Sequence, residues 1–338
     1  MFFIFLHGGK KTLNDCRNLM LVAIYINNVG KCLSLVLACF LFVVSSIHAQ
    51  QGAGSAYRIS RLSVSVDWET QTGSDYKVKK DGELYEKGEM GEYSKTGFRV
   101  NAPISYMNGF LLMLAGKYTY LHEEFSPTVR FRNIGLDDND HHIYGANLQL
   151  MGRKKLFGKS LDVFGFVSAD AGEFGFGRIY GMATGILRVH ETSRASFGVG
   201  LIGLVNTFSP FPVFPIFSYR YRFMPNLVLD MTIPQINLKY QASKTDALSV
   251  GMTVDSENFY VRTSDEDFPR NCRYSRCVVK PEFVYEKRLS DAFSLTAETG
   301  VALPMSSYIH ERNGSRRLAN VNMPMKPFLK IGVKYNVY

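Results

Sequence analysis

The chain has 338 residues, of which 46% are hydrophobic, 20% charged and 13% aromatic, with a formal charge of +9. That apolar content excludes wholesale disorder, and 29 Gly with only 12 Pro exclude a collagen-like fibre. The positive charge is mild and not gathered into one basic face, so no nucleic-acid partner is expected.

The first element is an apolar run from Cys32 to Ile47, preceded by Lys31 and followed by His48 and Ala49. A cation, a short apolar run and a small residue are the three parts of a secretory signal. The run falls short of the ~20 residues a membrane helix needs. The expectation is a signal peptide over 1–49, cut between Ala49 and Gln50, and a barrel over 50–338. Residues 1–19 fit no signal pattern, and Met20 would open a conventional one, which suggests an over-extended start. Leu37-Ala38-Cys39 resembles a lipobox but lies too close to Lys31. Loss of Lys10, Lys11, Arg17, Lys31 and Asp15 takes the charge from +9 to +6.

After the signal the pattern has period two. Leu62, Val64, Val66 and Trp68 alternate with polar residues, and so do Leu227 to Ile233, Leu248 to Val254, Phe293 to Val301 and Leu329 to Val337. Side chains on a strand point alternately to opposite faces, so each segment has one apolar and one polar face. A soluble sandwich also alternates. Segments of about 9–12 residues, however, suit a tilted membrane strand. The polar face repeatedly carries charge (Asp67, Asp230, Lys239, Asp255, Glu282, Glu298, Lys330), and aromatics crowd the strand ends. A barrel in lipid turns such charges into its lumen and gathers aromatics at the two interfaces.

In chain order the predicted strands are 57–68, 96–107, 110–121, 142–152, 160–170, 179–189, 195–207, 213–223, 227–233, 235–242, 247–263, 277–288, 293–303 and 326–338. The register of 110–121 is open, because its start is apolar on both faces. The break at Pro234, which cannot donate to a ladder, makes the count fourteen; twelve is the alternative. The fold expected is therefore all-β, an antiparallel up-and-down transmembrane barrel. Turns near Asn108-Gly109, 153–159, 190–194, 224–226, 243–246 and 290–292 are short. The charged connections 69–95, 122–141, 264–276 and 304–325 are long and fall at the other end, as in bacterial barrels.

Two predictions concern particular pairs. Cys272 and Cys277 lie in a polar stretch, and in an oxidising compartment their spacing predicts a disulfide within an outside loop. Across the turn 224–226, Phe223 facing Leu227 sets Tyr221 opposite Leu229 and Arg220 opposite Asp230. Arg220 and Asp230 then form an inward cross-strand pair, with Arg222 nearer the mouth.

For chemistry the best constellation is Asp137-Asp138-Asn139-Asp140-His141-His142 in an outside loop, which could act as a base or bind a cation. Nothing pairs with it, and a solvated acidic loop accounts for it. Neither Glu83 to Glu92 among lysines nor Arg312, Arg316 and Arg317 needs more than exposure. Gly172, Gly175 and Gly177 precede no helix and carry no phosphate-loop signal. No catalytic residue, cofactor or metal is expected.

The C-terminus, Phe328 to Tyr338, resembles the signal read by the barrel assembly machinery, with Tyr335, Val337 and Tyr338 its closing residues. Together with the segment 215–240 (PIFSYRYRFMPNLVLDMTIPQINLKY), the chain resembles uncharacterised outer-membrane barrel families of Gram-negative bacteria classed as domains of unknown function. That resemblance implies the outer membrane, with its lipids and lipopolysaccharide as surroundings, and carries no activity. The function expected is a pore or transport barrel with a polar lumen, taking an unknown small solute. The alternatives are a structural or surface-interaction barrel with a plugged lumen, or an enzyme acting on lipid or peptide.

Overall fold

A computed structural model describes residues 62–126, 140–173, 175–205, 212–232, 235–262, 266–312 and 316–337. The expected signal, its Ala49–Gln50 junction, Asp137 to Asn139 and Tyr338 lie outside the described residues.

The strands are β1 (Ser63–Gln71), β2 (Ser74–Lys80), β3 (Glu83–Met107), β4 (Phe110–Ser126), β5 (Asp140–Leu156), β6 (Lys159–Gly172), β7 (Gly175–Glu191) and β8 (Ala195–Val205). They continue as β9 (Val213–Met224), β10 (Leu227–Thr232), β11 (Gln235–Gln241), β12 (Asp246–Arg262), β13 (Asn271–Arg288), β14 (Phe293–Glu311), β15 (Arg317–Asn322) and β16 (Lys326–Asn336). From β3 to β14 each strand pairs antiparallel with the next. β14 pairs with β16, and β1 pairs with both β16 and β3. The ring is closed and has fourteen strands. β2 and β15 stand outside it, paired with each other and resting on β3 and β14.

The outward phase is apolar and bare. Val66, Trp68, Phe98, Leu148, Val199, Leu201, Val250, Phe283, Ile331 and Val333 are all exposed, Leu201 and Val250 at 59% each. Scattered exposed apolar residues are ordinary, but a continuous belt of them marks a surface made for an apolar medium. Aromatics sit at both edges. Tyr221 with Phe223 and Phe293 with Tyr335 pack at the short-turn end, while Tyr118 packs with Tyr144 at the other.

Turn chemistry fixes the first hairpin. Asn108 and Gly109 both have positive φ, 53° and 81°, the type I′ geometry whose twist matches the flanking strands. Phe157-Gly158 adopts the same conformation. Between β9 and β10 the turn is two residues, Pro225-Asn226, not three. Met224 faces Leu227, and Phe223 is the extra residue of a bulge, so it does not face Leu227. Beyond the bulge Arg222 faces Val228, Tyr221 faces Leu229 and Arg220 faces Asp230.

The long connections are more ordered than expected. Most of 69–95 is β-structure, β13 begins at Asn271, and β14 runs to Glu311. These extensions enclose an apolar core of their own, with Tyr76, Val78, Met90, Tyr93, Leu121, Phe259, Tyr274, Ile309 and Val321 buried together. Charged residues on the opposite phase disguise these segments as loops.

β10 and β11 have only six and seven residues. The pairing of β11 with β12 stops at Met252, although β12 continues to Arg262. Above that point β12 and β13 carry contacts on both faces, and β13 is buried without interruption from Cys272 to Lys280. Phe259 stacks on His141 of β5 at 4.5 Å, and the Cα atoms of β5 and β12 come within 8 Å although neither strand pairs with the other.

The disulfide is not formed. Cys272 and Cys277 are both free and buried within β13. Five residues of strand span about 16 Å, and a disulfide needs Cα atoms about 4.4–6.8 Å apart. The odd separation also sends them to opposite faces. Cys272 joins Tyr274 and Ile309, and Cys277 joins Val254 and Val279.

Candidate functional site: an ion-paired bridge across the lumen

Alternation aims Glu69 of β1, Tyr93 and Lys95 of β3, Glu123 of β4, Asp255 and Glu257 of β12, and Arg276 and Lys280 of β13 at one another. Lys280 Nζ donates to both carboxylate oxygens of Glu69, at 2.7 and 2.8 Å, and to Asp255 at 3.2 Å. Lys95 Nζ reaches Asp255 at 3.2 Å and pairs closely with Glu257. Arg276 forks, one nitrogen donating to Glu123 Oε1 at 2.8 Å and two to Glu257 Oε2. Tyr93 OH donates to Glu257 at 3.1 Å and lies under the Arg276 guanidinium.

β12 and β13 are separated from β3 and β4 by β14, β16 and β1 around the ring, so these bonds run through the lumen and not along its wall. Glu123 is 0% exposed and Arg276 is 3% exposed. In such a site a pair lasts only when its geometry is close and the remaining polar atoms are satisfied. Here Gln71 supplies a further bond to Glu69 at 2.8 Å, while Glu123 Oε2 accepts no hydrogen bond from the described residues. The arrangement can hold the passage shut and offers charges of both signs to anything entering. It brings together no nucleophile, base and oxyanion donor.

A second crossing lies on the other face of β12. Tyr260 OH donates to Asp170 of β6 at 2.5 Å, with Arg178 of β7 beside that carboxylate at 3.6 Å. The ring seats on Gly172 and Gly177; a Cβ would sit tightly against Tyr260 at the first and collide with it at the second.

The lumen is not polar along its whole length. Glu298 and Lys330 pair at 3.1 Å between β14 and β16. On β6 to β9 the middle of the inward phase is apolar, with Phe164, Met182, Ile202, Leu204 and Ile216 packed together, between the Asp170–Arg178 pair toward one end and Asp162 with Arg188 toward the other. A lumen polar all round is therefore not what forms. Both phases of β8 are apolar, so the pattern could not reveal which one faces inward.

Arg220 and Asp230 share a register position, but no ion pair joins them among the described residues, and the Asp230 carboxylate accepts from Thr232 Oγ1 at 2.9 Å. The Asp140–His142 stretch is strand, not loop, and its residues part. Asp140 bonds His122 at 2.8 Å and Tyr120 at 2.7 Å, and His142 stacks on Tyr118. His141 turns inward, buried against Phe259. At the outer tip of β5 the hydrogen bonds from His122, and then Tyr120, hold the Asp140 carboxyl below its usual range. Tyr335 lies in the outward phase, paired with Val64 and Phe293.

Sequence reasoning placed Asp255 on the charged face but passed over Glu69, Lys95, Glu123, Glu257, Arg276 and Lys280. The signal was there for two pairs: Asp255 and Glu257 continue one phase, and Arg276 and Lys280 another.

A closed antiparallel ring of fourteen strands, with an apolar belt outside and ion pairs inside, defines a β-barrel of the membrane-spanning class. The chain belongs to the family DUF6268, a domain of unknown function, whose model matches residues 159–336. No curated protein matches the sequence. Among solved structures the chain is similar to an outer membrane channel from Pseudomonas putida F1, at 10% identity and TM-score 0.43 over 84% of this chain and 98% of that one. It is similar to a Pseudomonas aeruginosa FadL homologue at 10% identity and TM-score 0.40, over 83% and 91%. It is also similar to the outer membrane protease OmpT from Escherichia coli at 7% identity and TM-score 0.31, over 84% and 99%. Such distant likeness carries no activity across.

Proposed function

We propose that this is an outer-membrane transport barrel for a small solute, with the bridge of Lys95, Arg276 and Lys280 to Glu69, Glu123, Asp255 and Glu257 as its closed gate. The observation that carries the reading is the crossing of the lumen by ion pairs between strands that do not pair. A purely structural barrel fills its interior more cheaply with apolar side chains, since replacing buried ion pairs by well-packed apolar groups is often neutral or stabilising. Charges of both signs, held apart from water yet breakable, suit a passage that opens.

The same reading takes residues 1–49 as a removed export signal, lipopolysaccharide and lipid as surrounding the belt, and the C-terminal segment, with Tyr335, Val337 and Tyr338 in its sequence, as the part handled by barrel assembly machinery. Outer-membrane material from a Gram-negative host is then expected to begin at Gln50 on N-terminal sequencing. A start before Lys31 would contradict the export signal.

Solute flux tests the gate. Purified barrel in liposomes is expected to pass small sugars slowly, and the variant Lys95→Ala with Glu257→Ala is expected to pass them at least tenfold faster. One observation favours a second reading, a plugged barrel: β13 is buried on both faces from Cys272 to Lys280. In that case the variant leaks no more than the wild type.

A further inference from the structure

At the short-turn end, far along the lumen from the bridge, the inward phases of β5, β7, β8 and β9 converge on a cavity of about 160 Å³. Arg153, Arg188, Arg194, Arg220 and Arg222 line it, with Glu191 the one carboxylate among its lining residues. The five guanidiniums are not equivalent. Asp162 holds two of them, bonding Arg153 Nε at 2.5 Å and Arg188 Nε at 2.6 Å. Arg188 is fixed further by Ser196 Oγ at 2.6 Å. Arg194, Arg220 and Arg222 have no carboxylate within 4 Å among the described residues. Asp230, the acid opposite Arg220, takes its hydrogen bond from Thr232.

The backbone that carries these free guanidiniums is firm. Arg222 N donates to Arg194 O at 2.7 Å, tying the β7–β8 turn to β9, and Thr192 closes that turn through Ala195 at 2.7 and 2.9 Å. The backbone therefore brings Arg194, Arg220 and Arg222 to one cavity, where they add three positive charges. The nearby acids, Asp162, Glu191 and Asp230, leave the five arginines with a surplus of positive charge.

We infer that this cavity binds a small oxyanion of phosphate or carboxylate chemistry. Guanidinium forks match such groups with two parallel N–H···O bonds, which a point charge cannot do. The volume sets the size. Pockets for drug-sized ligands run to about 300–1,000 Å³, and this one is smaller, so it suits a free anion or a single headgroup. Above it the wall of Phe164, Met182 and Ile202 is tightly packed, which makes the cavity a vestibule open toward the turn end. The site goes beyond the transport reading and stands whether or not the lumen conducts.

Inorganic phosphate is the probe. Titrated calorimetrically into the barrel in neutral detergent, it is expected to bind, while chloride at equal ionic strength does not. Arg220→Gln with Arg222→Gln is expected to weaken phosphate at least tenfold. Arg220→Lys with Arg222→Lys, which keeps the charge but loses the fork, should fall between, and heat-shifted gel mobility shows that each variant is folded. A repeat in nanodiscs separates the sources. If phosphatidylglycerol suppresses phosphate binding and phosphatidylcholine does not, the site takes a lipid headgroup; if neither does, it takes the free anion. Equal heats for phosphate and chloride, or a folded glutamine variant that binds as well as the wild type, would overturn the assignment.

Discussion

Arg276 holds the bridge from its centre. Its guanidinium serves Glu123 on one side of the lumen and Glu257 on the other. Arg276→Met leaves two buried carboxylates without that cation, and removing one partner of a buried pair costs about 3–5 kcal/mol. Urea unfolding in lipid vesicles is expected to show a loss of that size. Lys330→Met, at the Glu298–Lys330 pair between adjacent strands, should cost about 0.2–1 kcal/mol, because water reaches that pair. Equal losses at both sites would mean that Arg276 is not the buried link described. Gly177 makes a second residue-scale case. A methyl there collides with the Tyr260 hydroxyl and the Asp170 carboxylate, so Gly177→Ala is expected to cost about 1–3 kcal/mol. Combining it with Tyr260→Ala removes the hydroxyl and ring carbon that stand nearest, and the pair should lose less than the sum of the two single changes. Neither contact could be read from the sequence, since each joins residues many strands apart. Glycines 172 and 177 were visible there only as the absence of a phosphate loop.

Elements were far more legible than contacts. The alternation that placed strands near 160–170, 179–189 and 247–263 is the same one that appears in β6, β7 and β12, because one face meets lipid and the other does not. β10 ends at Thr232 and β11 begins at Gln235, a break where one was expected, while Pro234 itself lies outside the described residues. The failures cluster where that contrast disappears. Beyond the apolar belt, β3, β13 and β14 continue into a region packed on both faces, where an alternation of charge and aromatic residues looks like loop. The disulfide expectation fails for the same cause: it needs Cys272 and Cys277 in a loop, and a strand holds them at fixed separation on opposite faces. Peptides spanning 271–288, released under non-reducing denaturing conditions, should carry two alkylatable thiols, both unreactive in the folded barrel; an internal bridge would place the start of β13 wrongly. Gly109 tests the first hairpin. At φ 81° an alanine meets the left-handed penalty, so Gly109→Ala is expected to cost about 1–2 kcal/mol. No effect on unfolding would mean that the turn is not type I′.

At the scale of the whole molecule, the outside and the inside of the ring are explained by different physics. The belt of Val66, Leu201, Val250 and Ile331 needs an apolar medium. The interior carries ion pairs reaching from β12 and β13 to β1, β3 and β4, and an apolar cluster midway along β6 to β9. Closure follows from unequal strand lengths: short β10 and β11 leave the edge of β12 unpaired above Met252, and β12 and β13 turn both faces to protein. The central claim is that the lumen is shut by ion pairs that can be broken. Single-channel recording in a planar bilayer tests it most directly. Wild-type barrel should show a closed or barely conducting baseline, and Lys95→Ala with Glu257→Ala should show large, frequent openings from the same insertion. A steady large conductance in the wild type, unchanged in the variant, would contradict the bridge as the closure.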